Sequence, residues 1–311
     1  MDKKNELIEK INALKKEKNA VIMAHYYQSA NIQDIADIVG DSLALAQWAA
    51  NTKADIMVVC GVHFMGETAK ILSPKKKVLV PDKNAGCSLA DSCPADEFAK
   101  FIQQHPDHIV VSYVNTTAAV KTLTDIVVTS TNARKIIDQL PKDAKIIFAP
   151  DRNFGNYLNS VTGRNMVLWN GGCHVHEQFS VEKLIELKRQ YPTAKVLAHP
   201  ECKNSVLQLA DVIGSTQALL NYTQQNTATE FLIATESGIL HEMQKHSPHK
   251  RFIPVPPIDS MHDCNECHYM RLNTLEKLYA CLRDETPEIT IATDTQKKAI
   301  RPILKMLEMS K

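Results

Sequence analysis

Short apolar runs rich in Val and Ile, each ending at polar residues, alternate along the whole chain with stretches whose apolar residues fall at helical intervals. The first such stretch places Leu7, Ile8, Ile11 and Leu14 on one face among residues of both charge signs, which predicts an amphipathic N-terminal helix and not an export signal. A cytoplasmic protein is the expectation. Since no apolar run approaches the ~20 residues that span a bilayer, a membrane role is not expected.

The alternation has a period. AHYYQ followed by ADIVGDSLA, SYVNT followed by TDIVVTSTNA, and AHPEC followed by ADVIGSTQA share one design. His25 to Asp37, Tyr113 to Asp125 and His199 to Asp211 are each 12 residues, and the steps on to Ser42, Ser130 and Thr216 are each 5. Every copy continues with an apolar strand (ADIMVVCGV, AKIIFAPD, TEFLIATES), a helix near Gly66, Gly155 or Gly238, and another apolar strand (KVLVPD, MVLWNGG, RFIPVPP). Every copy ends at cysteine: Cys87, Cys173 and the pair Cys264 and Cys267.

Strand and helix in alternation predict parallel βαβ units with helices on both sheet faces. The expected fold is therefore α/β, with three similar three-layer αβα units about a pseudo-threefold axis and an active site at the centre. The units are expected at 1–90, 91–178 and 179–268. Segment 269–311, with a helix in LNTLEKLYACL, a short ITIAT strand and a last helix, is expected to complete the first. Right-handed crossovers put the strand C-termini of each sheet on one edge, where ligands of such sheets bind. The centre would then receive His25 and Tyr27, Tyr113 and Asn115, and His199 and Glu201. Ser42, Ser130 and Thr216 fall where helices should open, as N-caps whose free N–H groups suit phosphate or carboxylate.

Of the 311 residues 44% are hydrophobic and 23% charged, ample for a full core. The formal net charge of +1 provides no global field for nucleic acid, so an anionic ligand must be bound locally. Eight cysteines stand at 60, 87, 93, 173, 202, 264, 267 and 281, in a chain too large to need disulfide staples. Cys60 and Cys281 lie in apolar patterns and read as core. Cys264-x-x-Cys267 alone could be a zinc half-site, a redox dithiol or incidental. One thiolate from each unit is an incomplete set for a closed cluster, leaving one iron open as a Lewis acid, with zinc on three cysteines as the competitor.

AHYYQ, GDSLALA, PDKNAGCSLADSC, SYVNTTA, WNGGCHVH, HPEC, GSTQ, ATESGI and CNECHYM, in order from about residue 24 to 272, resemble the quinolinate synthase family. The resemblance implies one 4Fe-4S cluster on Cys87, Cys173 and Cys267, with Cys264 the extra member of its pair. It implies a substrate-binding set of His25, Ser42, Tyr113, Val114, Asn115, Ser130, His199, Pro200, Glu201 and Thr216. It also implies condensation of iminoaspartate, supplied by an aspartate-oxidising enzyme, with dihydroxyacetone phosphate to give quinolinate for NAD synthesis. Tyr27, His199 and Glu201 are the candidate proton-transfer groups. The three-cysteine reductase acting on hydroxymethylbutenyl diphosphate and a non-enzymatic iron-sulfur sensor are the alternatives. Where the family usually has proline after the second cysteine of the pair, this chain has His268.

Overall fold

A computed structural model of the chain describes residues 3–259 and 265–311. Among the described residues, twelve strands form three separate four-stranded sheets, all parallel. The first contains Ala20–His25 (β1), Ile38–Gly40 (β2), Ile56–Cys60 (β3) and Lys77–Leu79 (β4). The second contains Ile109–Tyr113 (β5), Ile126–Val128 (β6), Ile146–Ala149 (β7) and Val167–Leu168 (β8). The third contains Lys195–Ala198 (β9), Val212–Ile213 (β10), Glu230–Ala234 (β11) and Arg251–Pro254 (β12). Their orders are β2-β1-β3-β4, β6-β5-β7-β8 and β10-β9-β11-β12. One topology thus appears three times, in helix-flanked layers.

The short second strand of each sheet is where the sequence pattern was too brief to predict one. The repeated aspartate makes it. Asp37 accepts a hydrogen bond from the N–H of Ile22 at 2.7 Å, Asp125 from Val110 at 2.8 Å and Asp211 from Val196 at 2.8 Å. The N–H of the same aspartate donates back to the carbonyl of Ile22, Val110 or Val196. This reciprocal pair sets the register of β2 on β1, β6 on β5 and β10 on β9, a structural reason for the 12-residue spacing.

Alternate residues of β3 face opposite layers, as the pleat requires. Ile56, Val58 and Cys60 pack with Ile11, Leu278 and Cys281, so both cysteines are core. Met57 and Val59 pack with Leu43, Leu45, Phe64 and Ile71. The C-terminal segment departs from expectation in two respects. ITIAT forms no strand, leaving only an isolated bridge between Leu79 and Glu288. The last helix, Thr293–Met309, buries Ala299, Ile303 and Met306 in a core shared by the first and second sheets, while helix Leu275–Asp284 packs on the first alone. Gln139 donates to the carbonyl of Met309 and Asn132 to the hydroxyl of Ser310, tying that end to the second sheet. No helix among the described residues is long and apolar enough to cross a membrane.

Candidate active site

The C-terminal ends of β1, β5 and β9 open on one cavity, which encloses about 690 Å³, part of it open to solvent. It is lined by His25 and Tyr27 after β1, Tyr113 and Asn115 after β5, and His199 and Glu201 after β9. Ser42, Ser130 and Thr216 line it too, as do Cys87, Cys173 and Cys267. Two members of the expected substrate-binding set, Val114 and Pro200, are buried behind the lining. Each lies in the turn just past its strand, between two neighbours that line the cavity.

The three hydroxyl residues are not N-caps. Asp41 caps helix Ser42–Asn51 by accepting from the N–H of Ala44, and Ser215 caps Thr216–Gln225 by accepting from Ala218, so Ser42 and Thr216 stand in the first turn. Ser130 lies in the turn before helix Ala133–Gln139, where Asn132 accepts from the N–H of Thr129. The hydroxyls are thereby left free of capping duty. Two further polar atoms on this wall, Asn115 Oδ1 and Thr129 Oγ1, are buried without a hydrogen-bond partner, a condition that a ligand would relieve.

The acid-base groups form one connected network. Tyr27 Oη lies 3.0 Å from Thr216 Oγ1 and 2.7 Å from Thr235 Oγ1. Thr235 is 3.1 Å from His176 Nε2, whose Nδ1 lies 3.0 Å from Glu201 Oε2 and 3.3 Å from Cys173 Sγ. Tyr113 Oη donates to Glu201 Oε1 at 2.7 Å. Glu201 Oε2, as a carboxylate oxygen, can only accept, so His176 Nδ1 carries the proton. In the neutral ring Nε2 then accepts from Thr235, which accepts from Tyr27.

Burial drives His25 and His199 down to about 3, so both are neutral at pH 7. Each Nδ1 faces a backbone N–H, that of Tyr27 at 3.1 Å and that of Glu201 at 3.4 Å, which leaves Nε2–H as the donor. Burial would raise Glu201, but it is held at about 2, the opposing causes being His176, His199 and the hydrogen bonds from His176 and Tyr113. Because His199 is neutral it provides little of that charge. The hydrogen bonds donated by Tyr113 and His176 keep Glu201 a carboxylate. Burial raises the phenols of Tyr27 and Tyr113 well above their ordinary value.

Cys87 precedes helix Ser88–Asp91, Cys267 precedes helix His268–Arg271, and Cys173 follows β8. Burial pushes Cys87 up to about 12, Cys267 to about 11 and Cys173 well above the usual thiol range. Backbone N–H groups of Ala90 and Leu89, of His176, and of Met270 and Tyr269 act against burial at the three sulfurs respectively. Buried sulfurs backed by N–H donors fit thiolate ligands of a metal centre, which discharges the anion that burial alone disfavours. Cys173, His176 and Glu201 also have ligand atoms all within 4.8 Å of one another, close enough for one ion. Cys93 and Cys202 are buried in apolar clusters away from this wall. Cys264 and any pairing with Cys267 lie outside the described residues. His268 is the first residue of its helix, where proline would be pre-organised; its ring packs on Tyr269 at 3.9 Å between centroids.

Among the lining and network residues that sequence reasoning missed, four carry the most chemistry. His176 could have been found as the second histidine of CHVH, three residues after Cys173. Glu236 lies in the ATESGI motif; it accepts from the N–H of Cys267 and Gly238 and pairs with Arg271 at 3.0 Å. Burial raises Glu236 to about 7. Asp41 was passed over for its neighbour Ser42. Thr235 carried no signal beyond its place at the end of β11.

Three parallel-sheet layers sharing one cavity at their strand ends, with carboxylate, phenol, imidazole and thiol converging there, define an α/β enzyme for a small-molecule substrate. The family model described as quinolinate synthetase A protein matches residues 9–308, and the chain belongs to that family. The chain is 61% identical over 305 residues to the quinolinate synthase of Synechocystis sp., covering 98% of this chain and 96% of the relative. It is 60% identical over 306 residues to that of Microcystis aeruginosa, covering 98% and 96%. To that of Chloroherpeton thalassium it is 58% identical over 306 residues, covering 98% and 95%.

Proposed function

We propose that this enzyme condenses iminoaspartate with dihydroxyacetone phosphate, with loss of phosphate and water, to form quinolinate for NAD synthesis in the cytoplasm. The observation that carries the reading is the convergence of one cysteine and one polar strand end from each repeat on a single cavity, in a chain of this family. A pseudo-threefold arrangement of units 1–90 with 269–311, 91–178 and 179–268 accounts for that convergence. Cys87, Cys173 and Cys267 would hold one 4Fe-4S cluster. When bound, it supplies a Lewis-acid iron for a substrate oxygen.

The remaining chemistry belongs to the side chains. The substrates carry two carboxylates and a phosphate, and Ser42, Ser130 and Thr216 are the hydroxyls that would receive them at helix-opening turns. His25 and His199 offer Nε2–H to substrate oxygens, and Asn115 offers the buried amide whose oxygen lacks a partner. Tyr27 takes a proton from substrate only as it passes its own to Thr235, while Thr235 passes its hydroxyl proton to His176 Nε2 and His176 Nδ1 delivers one to Glu201 Oε2. A concerted transfer avoids the free phenolate that burial disfavours. Tyr113 steadies Glu201 throughout. An aspartate-oxidising enzyme would supply the first substrate.

The test is anaerobic quinolinate formation from the two substrates with no added reductant. Turnover under those conditions supports the synthase reading, which the family match already favours over a hydroxymethylbutenyl diphosphate reductase or a sensor. Dependence on an electron donor, or no product at all, overturns it.

A further inference from the structure

Eight residues beyond each repeat's strand-end group stand Gln33, Lys121 and Leu207. Gln33 and Lys121 are buried polar side chains outside the lining of the cavity, and they make the same contacts one repeat apart. Gln33 Nε2 donates to the carbonyls of Tyr26 at 3.1 Å and Gln28 at 2.8 Å, and also to Gly238 at 3.0 Å. Lys121 Nζ donates to the carbonyls of Val114 at 2.9 Å and of Thr116, and to Thr116 Oγ1 at 3.3 Å. Tyr26 and Gln28 flank Tyr27 as Val114 and Thr116 flank Asn115. The carbonyls on either side of the cavity-facing residue are therefore gathered on one buried nitrogen in both units.

We infer that Gln33 and Lys121 are positioning residues, clamping the strand-end turns so that Tyr27 and Asn115 are held toward the cavity. A fully buried ammonium whose partners are neutral oxygens is a costly way to fill space, and all three of its N–H bonds are used on this turn. The ring of Phe64 lies 5.6 Å from Nζ, and the charges of Glu67 and Cys87 act on the ammonium without a hydrogen bond to it. The third unit needs no such clamp. Leu207 has no donor, and Glu201 is fixed through its own carboxylate by Tyr113 and His176. The consequence for turnover rests on the proposed function; the clamp itself does not.

The experiment compares Lys121→Met, which fills the space without a donor, with Lys121→Gln, which installs the donor of the first unit. Hydrogen exchange of segment 113–117 is read on each purified chain beside KM, kcat and iron content. In Lys121→Met, exchange in that segment and KM should each rise about tenfold, the size expected on losing one or two buried hydrogen bonds, with iron content unchanged. Lys121→Gln should stay within about threefold of the parent on both readings. Equal behaviour of the two variants, or unchanged exchange in Lys121→Met, overturns the clamp. Should Lys121→Met fail to fold, Gln33→Leu and Gln33→Lys pose the same question for segment 25–29, with loss of protection expected only in the leucine variant. Exchange needs no substrate, so a parent chain that forms no quinolinate refutes the reaction while the clamp is still decided.

Discussion

At the residue scale, the side chains proposed to move protons are distinguished by their connections. Tyr27, Thr235, His176, Glu201 and Tyr113 form one hydrogen-bonded line across the cavity. Glu201→Gln should reduce kcat by about 10²- to 10⁴-fold while iron content stays at the parent level. Loss of metal together with activity would instead make Glu201 a ligand with Cys173 and His176. The buried imidazoles predict a pH effect on stability. Unfolded His25 and His199 bind protons below about 6.5, whereas the folded rings stay neutral down to about 3. Stability is therefore lost as pH falls below 6.5, by up to about 1.4 kcal/mol per pH unit per ring. Glu201, held near 2 against an ordinary 4.5, adds a loss only below about 4.5. Glu236, raised by burial to about 7, and Asp151, raised by burial as well, act in the opposite direction over the same range, so the reading is the difference between parent and variant. His199→Gln should lose less stability than the parent between pH 6.5 and 5, by up to about 1.4 kcal/mol per pH unit. An unchanged difference between parent and His199→Gln across this range contradicts the neutral assignment.

At the element scale, the sequence displayed the strands that sit in apolar runs and hid the second strand of each sheet. β1, β3 and β4 and their counterparts are continuous apolar runs, whereas β10 has two residues and is set by Asp211 from outside itself. The polar strand ends and the cysteines were legible because the repeat marked them three times. Asp41 and Thr235 were not, because their roles depend on what another unit brings alongside; Asp41, for instance, accepts from Thr131 of the second unit at 2.6 Å. The glycines near the third helix of each repeat separate packing from function. A Cβ on Gly155 would lie 2.6 Å from Leu168 Cδ2 and 3.0 Å from Phe148 Cδ1, inside a helix-sheet layer. Gly155→Ala should cost about 1–3 kcal/mol of stability with little change in KM. A Cβ on Gly238 would lie 2.7 Å from the backbone of Tyr27, which cannot step aside as a side chain can. Gly238→Ala should lower kcat/KM by about tenfold or more, because displacing a catalytic group by a fraction of an ångström is costly. Normal kcat/KM in that variant would remove Tyr27 from the chemistry.

At the scale of the molecule, three sheets with one topology present corresponding corners to a single cavity. The last helix, Thr293–Met309, buries its apolar face in the core that the first and second sheets share. The sequence could not assign that helix to both sheets, since its apolar face records burial and not the partner. The central claim concerns three thiols brought from distant parts of the chain to one wall. Iron and acid-labile sulfide per chain, measured anaerobically on the parent and on Cys87→Ser, Cys173→Ser and Cys267→Ser, test it most directly. The account predicts about four of each in the parent and loss of both in every variant. A single metal ion without sulfide, or a serine variant retaining the full complement, would contradict it.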